Sequence, residues 1–163
     1  MPLTQKSAPQ PPVIKFTVVN CSQDKAFALF VMKMDSWWPD KFTVSGMAGG
    51  KAKAIRVEAQ LGGTITEIGP DGTEHLWGTI KGFAPNDSLS MDFHIPTPGE
   101  EVTERSRVEV QFMGLGDGRT RVDLTQSNWE AFGDRAMGLR AGYNGSWTKI
   151  LDDAFKAKCA KLG

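Results

Sequence analysis

The sequence is poor in the residues that most often carry polar chemistry. Among 163 residues there are only two histidines, two cysteines and one tyrosine. So few histidines exclude a His-rich metal centre, and Cys21 and Cys159 are too far apart to show metal-ligand spacing. Both are expected to be reduced, partly buried thiols of a cytoplasmic protein. An excess of one charge is also missing. The 19 Lys and Arg balance the 19 Asp and Glu, which argues against nucleic acid as a partner. No apolar run approaches the roughly 20 residues of a membrane span. Met1 to Pro12 has no apolar segment either, so no secretory signal is expected. There is no Gly-x-Ser-x-Gly elbow, and Gly49-Gly50-Lys51 lacks the spacing of a phosphate loop. No cofactor and no metal are therefore expected.

The length suits one domain with a real core. Residues 1–12, with Pro2, Pro9, Pro11 and Pro12, read as a flexible N-terminal arm, and residues 13–163 as the domain. Val13 to Asn20 has the alternation of a strand. Ser22 or Asp24 can cap a short helix carrying Ala26, Phe27, Leu29 and Phe30, which should stop at Trp37-Trp38-Pro39. Asp40 to Lys53 is rich in Gly and Lys and reads as a flexible loop. Short alternating segments follow at Ala54–Gln60, Thr64–Ile68, His75–Phe83, Leu89–His94, Arg105–Met113 and Thr120–Thr125, joined by turns such as Pro70-Asp71-Gly72. The chain ends on an amphipathic pattern from Arg135 to Leu162 that predicts one long helix. Strands joined by such short turns must pair antiparallel. The expected class is α+β: a sheet of six or seven strands packed against a long C-terminal helix, with short helices after the first strand.

Particular residues add a resemblance to this pattern. Ala26-Phe27-Ala28-Leu29-Phe30 precedes Trp37-Trp38-Pro39; Val57-Glu58 runs to Leu61-Gly62-Gly63, with Glu67 shortly after; Trp77-Gly78-Thr79-Ile80 is followed by Pro85; Gly118-Arg119-Thr120-Arg121-Val122 comes later, and Gly142-Tyr143 stands with Gly145 and Trp147 in the last helix. In this order they resemble the START/Bet v-like (SRPBCC) superfamily, and within it the stand-alone bacterial form of the family named for the activator of heat-shock protein 90 ATPase. The resemblance implies a helix-grip fold, a curved sheet wrapped around the long helix with an apolar cavity between them. It does not imply chaperone activation.

Several residues are candidates for that cavity. The aromatic set Phe27, Phe30, Phe93, Trp129, Tyr143 and Trp147 can line it, with Trp77 and Met91 on neighbouring strands. Trp37 and Trp38 can form its mouth, or with Met47 an exposed patch for a protein partner. Otherwise one of the two tryptophans anchors the helix and the other is partly exposed. Glu67 shares a strand face with Ile65 and should point inward unless a bulge at Gly62-Gly63 flips the register. A carboxylate facing an apolar cavity is a candidate acid–base group or anchor for a polar head. Glu58 should instead sit in a solvated ion pair on the Arg56 face, and His75 and His94 should lie on the surface. Gly138, Gly142 and Gly145 form a stripe placed roughly opposite Trp147, which weakens the first half of the last helix. There Tyr143 and the Trp129 region can gate the cavity, or the stripe can admit a loop or a second subunit, giving a homodimer. The leading function is binding of a small apolar or amphipathic molecule. The alternatives are a cyclase, aromatase or hydrolase that uses Glu67, alone or with a histidine, as acid–base group, and a protein-interaction or stress-response module.

Overall fold

A computed structural model describes residues 9–162 of the chain. The alternating segments form seven strands: β1 (Val13–Val19), β2 (Ala54–Val57), β3 (Thr64–Ile68), β4 (Glu74–Ala84), β5 (Ser88–Phe93), β6 (Ser106–Gly114) and β7 (Thr120–Ser127). They make one antiparallel sheet in the order β1-β7-β6-β5-β4-β3-β2. The chain from β2 to β7 is thus a meander, and β1 adds at the far edge with Val13 opposite Gln126. On β6 and β7 the inward positions are Val108, Val110, Phe112, Val122 and Leu124, all buried. The expected α+β helix-grip arrangement is what the chain adopts.

Curvature is concentrated on β4, where the pairing shifts twice. Trp77 is the extra residue against Ile65/Thr66 of β3, and Lys81 against Met91/Ser90 of β5. Such bulges bend a strand and re-aim side chains. The first one turns Trp77 fully into the core. The bulge lies here rather than at Gly62-Gly63, where Gly63 instead passes so close to the Glu58 carbonyl that a Cβ would sit 2.0 Å from it. The register of β3 is therefore kept, and Ile65 and Glu67 are both fully buried.

Helix α1 (Gln23–Met32) buries Ala26, Phe27, Leu29, Phe30 and Val31. The segment after it is more ordered than its composition suggests. A 3-10 turn spans Asp40–Phe42, and a one-turn helix, α2, spans Val44–Met47 with Thr43 as its cap. Four residues are too few to show a period, so the expected loop hides a helix held by distant partners.

The C-terminal segment begins with a 3-10 turn (Trp129–Arg135) and continues as α3 (Ala136–Thr148), a π-helical stretch (Lys149–Phe155) and α4 (Lys156–Ala160). The single long helix is thus widened in its middle. Trp147, Ile150, Leu151, Phe155 and Cys159 form its buried face. Cys159 and Cys21 are free, and burial pushes both thiols up from their ordinary value. Of the expected arm, residues 1–8 lie outside the described residues. Its last part is tied down, because the Arg140 guanidinium donates to the carbonyls of Pro11 and Pro12 at 2.6 and 3.2 Å.

Candidate functional site

Three pieces of chain meet around an open groove: the Asp40–Met47 segment, the end of β5 with the residues following it, and α3. The groove holds about 170 Å³. That compares with the roughly 150 Å³ cavities known to take benzene. Its walls are Trp38, Phe42, Phe93, Leu139, Tyr143, Trp147 and Ile150, with Met47 and Lys41 at the rim. A roomier hollow of about 400 Å³ over the Gly69–Thr73 turn is lined by Val44, Ala48 and a set of Gly, Pro and polar residues, and has no aromatic wall apart from His75.

The groove's rings are held rigidly. The Trp38 indole donates to the Phe42 carbonyl at 3.0 Å and meets Trp147 edge-on, with centroids 5.7 Å apart. Trp147 in turn donates to Oε1 of the buried Gln126 at 2.7 Å, and Gln126 donates to Ser106. The space exists because side chains are absent. Gly138 and Gly142 lie on the α3 wall, and a Cβ at either would meet nothing within 4 Å. Around the helix the stripe lies roughly opposite Trp147, as expected. Gly138 and Gly142 of the stripe border the groove, and among the described residues nothing lies within 4 Å of a Cβ placed on any of the three glycines.

One wall is polar, and it comes from residues that periodicity does not reveal. His94 follows the last residue of β5, where alternation no longer governs direction, and only 2% of it is exposed, so the surface expectation fails. Its ring lies between Phe132 and Tyr143. The Tyr143 hydroxyl accepts the Ile95 N–H at 2.8 Å and lies 2.9 Å from His94 Nδ1. With its one proton, the hydroxyl donates to Nδ1. The remaining imidazole N–H is then on Nε2, 3.2 Å from both Glu100 oxygens. Glu100 also accepts from the Thr97 N–H and from Arg135 Nη2, at 2.9 and 2.6 Å. Burial alone would push the Glu100 carboxyl up, but Thr97, Arg135 and His94 outweigh it and hold it down at about 2. Burial lowers His94 from its ordinary value, partly offset by Glu100, and burial raises Tyr143. The result is a continuous line of hydrogen bonds: Arg135, Glu100, His94, Tyr143.

Glu67, the sequence's candidate for acid–base work, is otherwise engaged. Its Oε1 accepts the Val44 N–H and the Trp77 indole at 2.7 and 3.1 Å, and its Oε2 accepts the Ser45 N–H and hydroxyl at 2.8 and 2.6 Å. It faces inward as expected, but onto the start of α2 rather than the groove. Among the expected site residues, Trp38, Phe93, Tyr143 and Trp147 line the groove. Phe27, Phe30, Trp37 and Met91 pack in the solid core, with Phe30, Trp37 and Phe155 ring to ring. Trp77 packs on Trp38 behind the wall, and Trp129 is fully buried and donates to the Gln126 carbonyl. Trp37 and Trp38 are each 6% exposed, which removes the exposed patch. Neither is a partly exposed partner to an anchored one, since each indole donates to a carbonyl. Glu58 bonds to Thr64, and Arg56 pairs with Glu74 instead. Phe42, Leu139 and Ile150 are not among the expected site residues, and His94 is a potential acid–base group that the sequence places on the surface. Among the described residues, no cluster of three or more His, Cys, Asp and Glu is placed to hold a metal ion, and no helix is long and apolar enough to cross a membrane.

Comparison with known families places the fold in context. Residues 20–157 match the family described as Activator of Hsp90 ATPase homolog 1-like protein. The chain belongs to that family. Within the Activator of Hsp90 ATPase homolog 1-like family, the resemblance expected from Gly62-Gly63, Trp77-Gly78 and the last helix is thus borne out. Among solved structures, the self-sacrificing resistance protein CalC from Micromonospora echinospora shares 26% identity, with 94% of this chain and 96% of that one covered and a TM-score of 0.69. An anthrahydroquino-γ-pyrone synthase, Txn09, shares 27% over 95% of this chain and 98% of that one, with a TM-score of 0.61. The Aha1 dimer from Colwellia psychrerythraea is similar in fold, at 16% identity, coverage of 93% and 97%, and a TM-score of 0.63. A comparison with curated proteins finds no match.

Proposed function

We propose that the protein binds a small, flat, largely apolar molecule in the groove between α3, the end of β5 and the Asp40–Met47 segment. The observation that carries this reading is an unfilled, aromatic-walled space that two helical glycines keep open. Interior glycines cost about 1 kcal/mol each in a helix relative to alanine. A sequence that keeps them where a Cβ would meet nothing gains no packing from them, but it gains room. Small-molecule sites combine apolar walls with a few placed polar groups. Here those groups are Tyr143, with His94 behind it, and Lys41 at the rim, whose ammonium lies 5.2 Å from the centre of the Phe42 ring. A ligand with an apolar body and one polar or anionic end suits this wall. One relative at 27% identity is named as an anthrahydroquino-γ-pyrone synthase, and a protein so named supports a ligand of this kind.

Calorimetric titration with 1-naphthol tests the reading. Saturable binding is expected, weakened at least tenfold by Gly142→Leu, whose side chain fills the groove from the open helix face. No saturable binding, or binding indifferent to Gly142→Leu, overturns it.

A further inference from the structure

We propose that the groove is also a proton-transfer site, in which Tyr143 takes a proton from an acidic hydroxyl of the bound molecule and passes its own to His94. This rests on the groove reading above. The geometry on which it stands is the direction of each hydrogen bond. The Tyr143 oxygen accepts from Ile95 N–H and donates to His94 Nδ1, so one lone pair is left for a third partner. Tyr143, His94, Ile95 and Thr97 are all part of the groove wall. A ligand hydroxyl at that wall can donate to this lone pair. His94 presents neither nitrogen to the groove, because Nδ1 is engaged by Tyr143 and Nε2 by Glu100. Tyr143 is therefore the relay residue through which a ligand in the groove engages the line of hydrogen bonds, and His94 and Glu100 act through it.

The transfer balances without any added reagent. The ligand O–H bond breaks and its proton binds the Tyr143 oxygen. The original Tyr143 O–H bond breaks and its proton binds Nδ1. The products are a bound phenolate-type anion and an imidazolium whose Nε2–H faces the Glu100 carboxylate. Thr97 and Arg135 hold that carboxylate in its charged form. The charged groups around His94 are Glu100 from the loop after β5, Arg135 from the turn before α3, and Arg105 from the chain before β6; Tyr143 faces it from α3. The two arginines and burial oppose the imidazolium, and Glu100 favours it. The site is thus built for a proton that arrives with a compensating anion in the groove, not for a histidine that is charged at rest. The substrate class is an apolar aromatic with an ionisable hydroxyl.

The probe is 4-nitrophenol, whose anion absorbs in the visible, titrated with pH in excess protein. An apolar groove without a relay favours the neutral phenol and raises its apparent pKa. A working relay lowers it. The expected result is a lowering of about one unit, or tenfold in ionisation, in the unaltered protein, reversed to a raised value in Tyr143→Phe and in His94→Gln, and reduced in Glu100→Gln. Thermal melts identify any variant that does not fold, and the conclusion then rests on those that do. Binding with a raised pKa in the unaltered protein overturns the relay and leaves the groove reading standing. A lowering that survives Tyr143→Phe and His94→Gln but vanishes in Lys41→Gln assigns the effect to the rim ammonium and overturns the relay. Absence of saturable binding overturns both readings.

Discussion

Two carboxylates are drawn into the interior, Glu67 from β3 and Glu100 from the loop after β5, and they do different work. Glu67 is fully buried and takes four hydrogen bonds, from two backbone N–H groups, a serine hydroxyl and an indole. None of those donors changes charge near neutral pH. Glu100 keeps 10% of its side chain exposed and is shared between an arginine, a threonine and a histidine. The first arrangement fixes a shape. It pins α2 and the Asp40–Met47 segment onto β3 and so sets one side of the groove. The second couples a titratable ring to the groove through Tyr143. Burial alone does not mark a carboxylate as chemical. What distinguishes the two is whether its partners can exchange protons and whether one of them reaches the open space.

The comparison breaks most visibly at Glu67. Glu67→Ala leaves the donors of Val44, Ser45 and Trp77 without their acceptor in a buried place. At about 1–3 kcal/mol for each orphaned group, the expected loss is about 4 kcal/mol or more. Urea unfolding monitored by tryptophan fluorescence should show it as a large fall in midpoint. A loss below about 1 kcal/mol would mean that α2 is held by something other than this carboxylate.

Glu100 should show a smaller effect, and one that depends on pH. Its folded value of about 2 lies below the ordinary 4.5, so its contribution is complete above pH 4.5 and is lost as the pH falls toward 2. At full extent this amounts to about 3 kcal/mol. His94 works in the same direction and begins earlier. Its folded value lies below 6.5, so on acidification the unfolded chain takes the proton first and stability starts to fall once the pH drops under that point. Unfolding midpoints measured from pH 7 to pH 3 should fall in both ranges. Glu100→Gln should flatten the limb below pH 4.5. If the limb is as steep in that variant as in the unaltered protein, the acid sensitivity belongs to other carboxylates.

The same contrast explains what could be read from the sequence. Glu67 could be found because it sits in β3, where strict alternation places it on the face of Ile65, and the bulge falls on the neighbouring strand without disturbing that register. The seven strands and the amphipathic last helix were legible for the same reason: period is a repeated signal. His94 and Glu100 lie where no period operates. His94 is one residue past the end of β5, and extending the alternation of Leu89, Met91 and Phe93 places it wrongly outside. Glu100 lies in a loop, but Thr97-x-x-Glu100 was a usable clue. Its carboxylate reaches back to the Thr97 N–H as in a capping box, while the Glu100 N–H closes the turn on the Thr97 carbonyl rather than on the hydroxyl. The groove itself could not be read from a list of aromatic residues. Phe27 and Phe30 fill the core while Trp38 and Phe93 stop short of filling the groove, and the difference is made by the empty positions facing them on α3.

Those empty positions supply the smallest and most discriminating test. Gly142 is exposed, helical and surrounded by open space, so an alanine there gains helix propensity without a clash. Gly142→Ala should raise stability by up to about 1 kcal/mol while reducing the affinity for a groove ligand only slightly, since one methyl removes little of the space. The two readouts moving in opposite directions would mark the glycine as kept for the groove. A fall in stability would mean that the α3 face is covered in solution, and a second copy of the chain is then the simplest cover. Sedimentation of the unaltered protein and of the variant distinguishes these outcomes, because only a covered face links the added methyl to a change in oligomeric state.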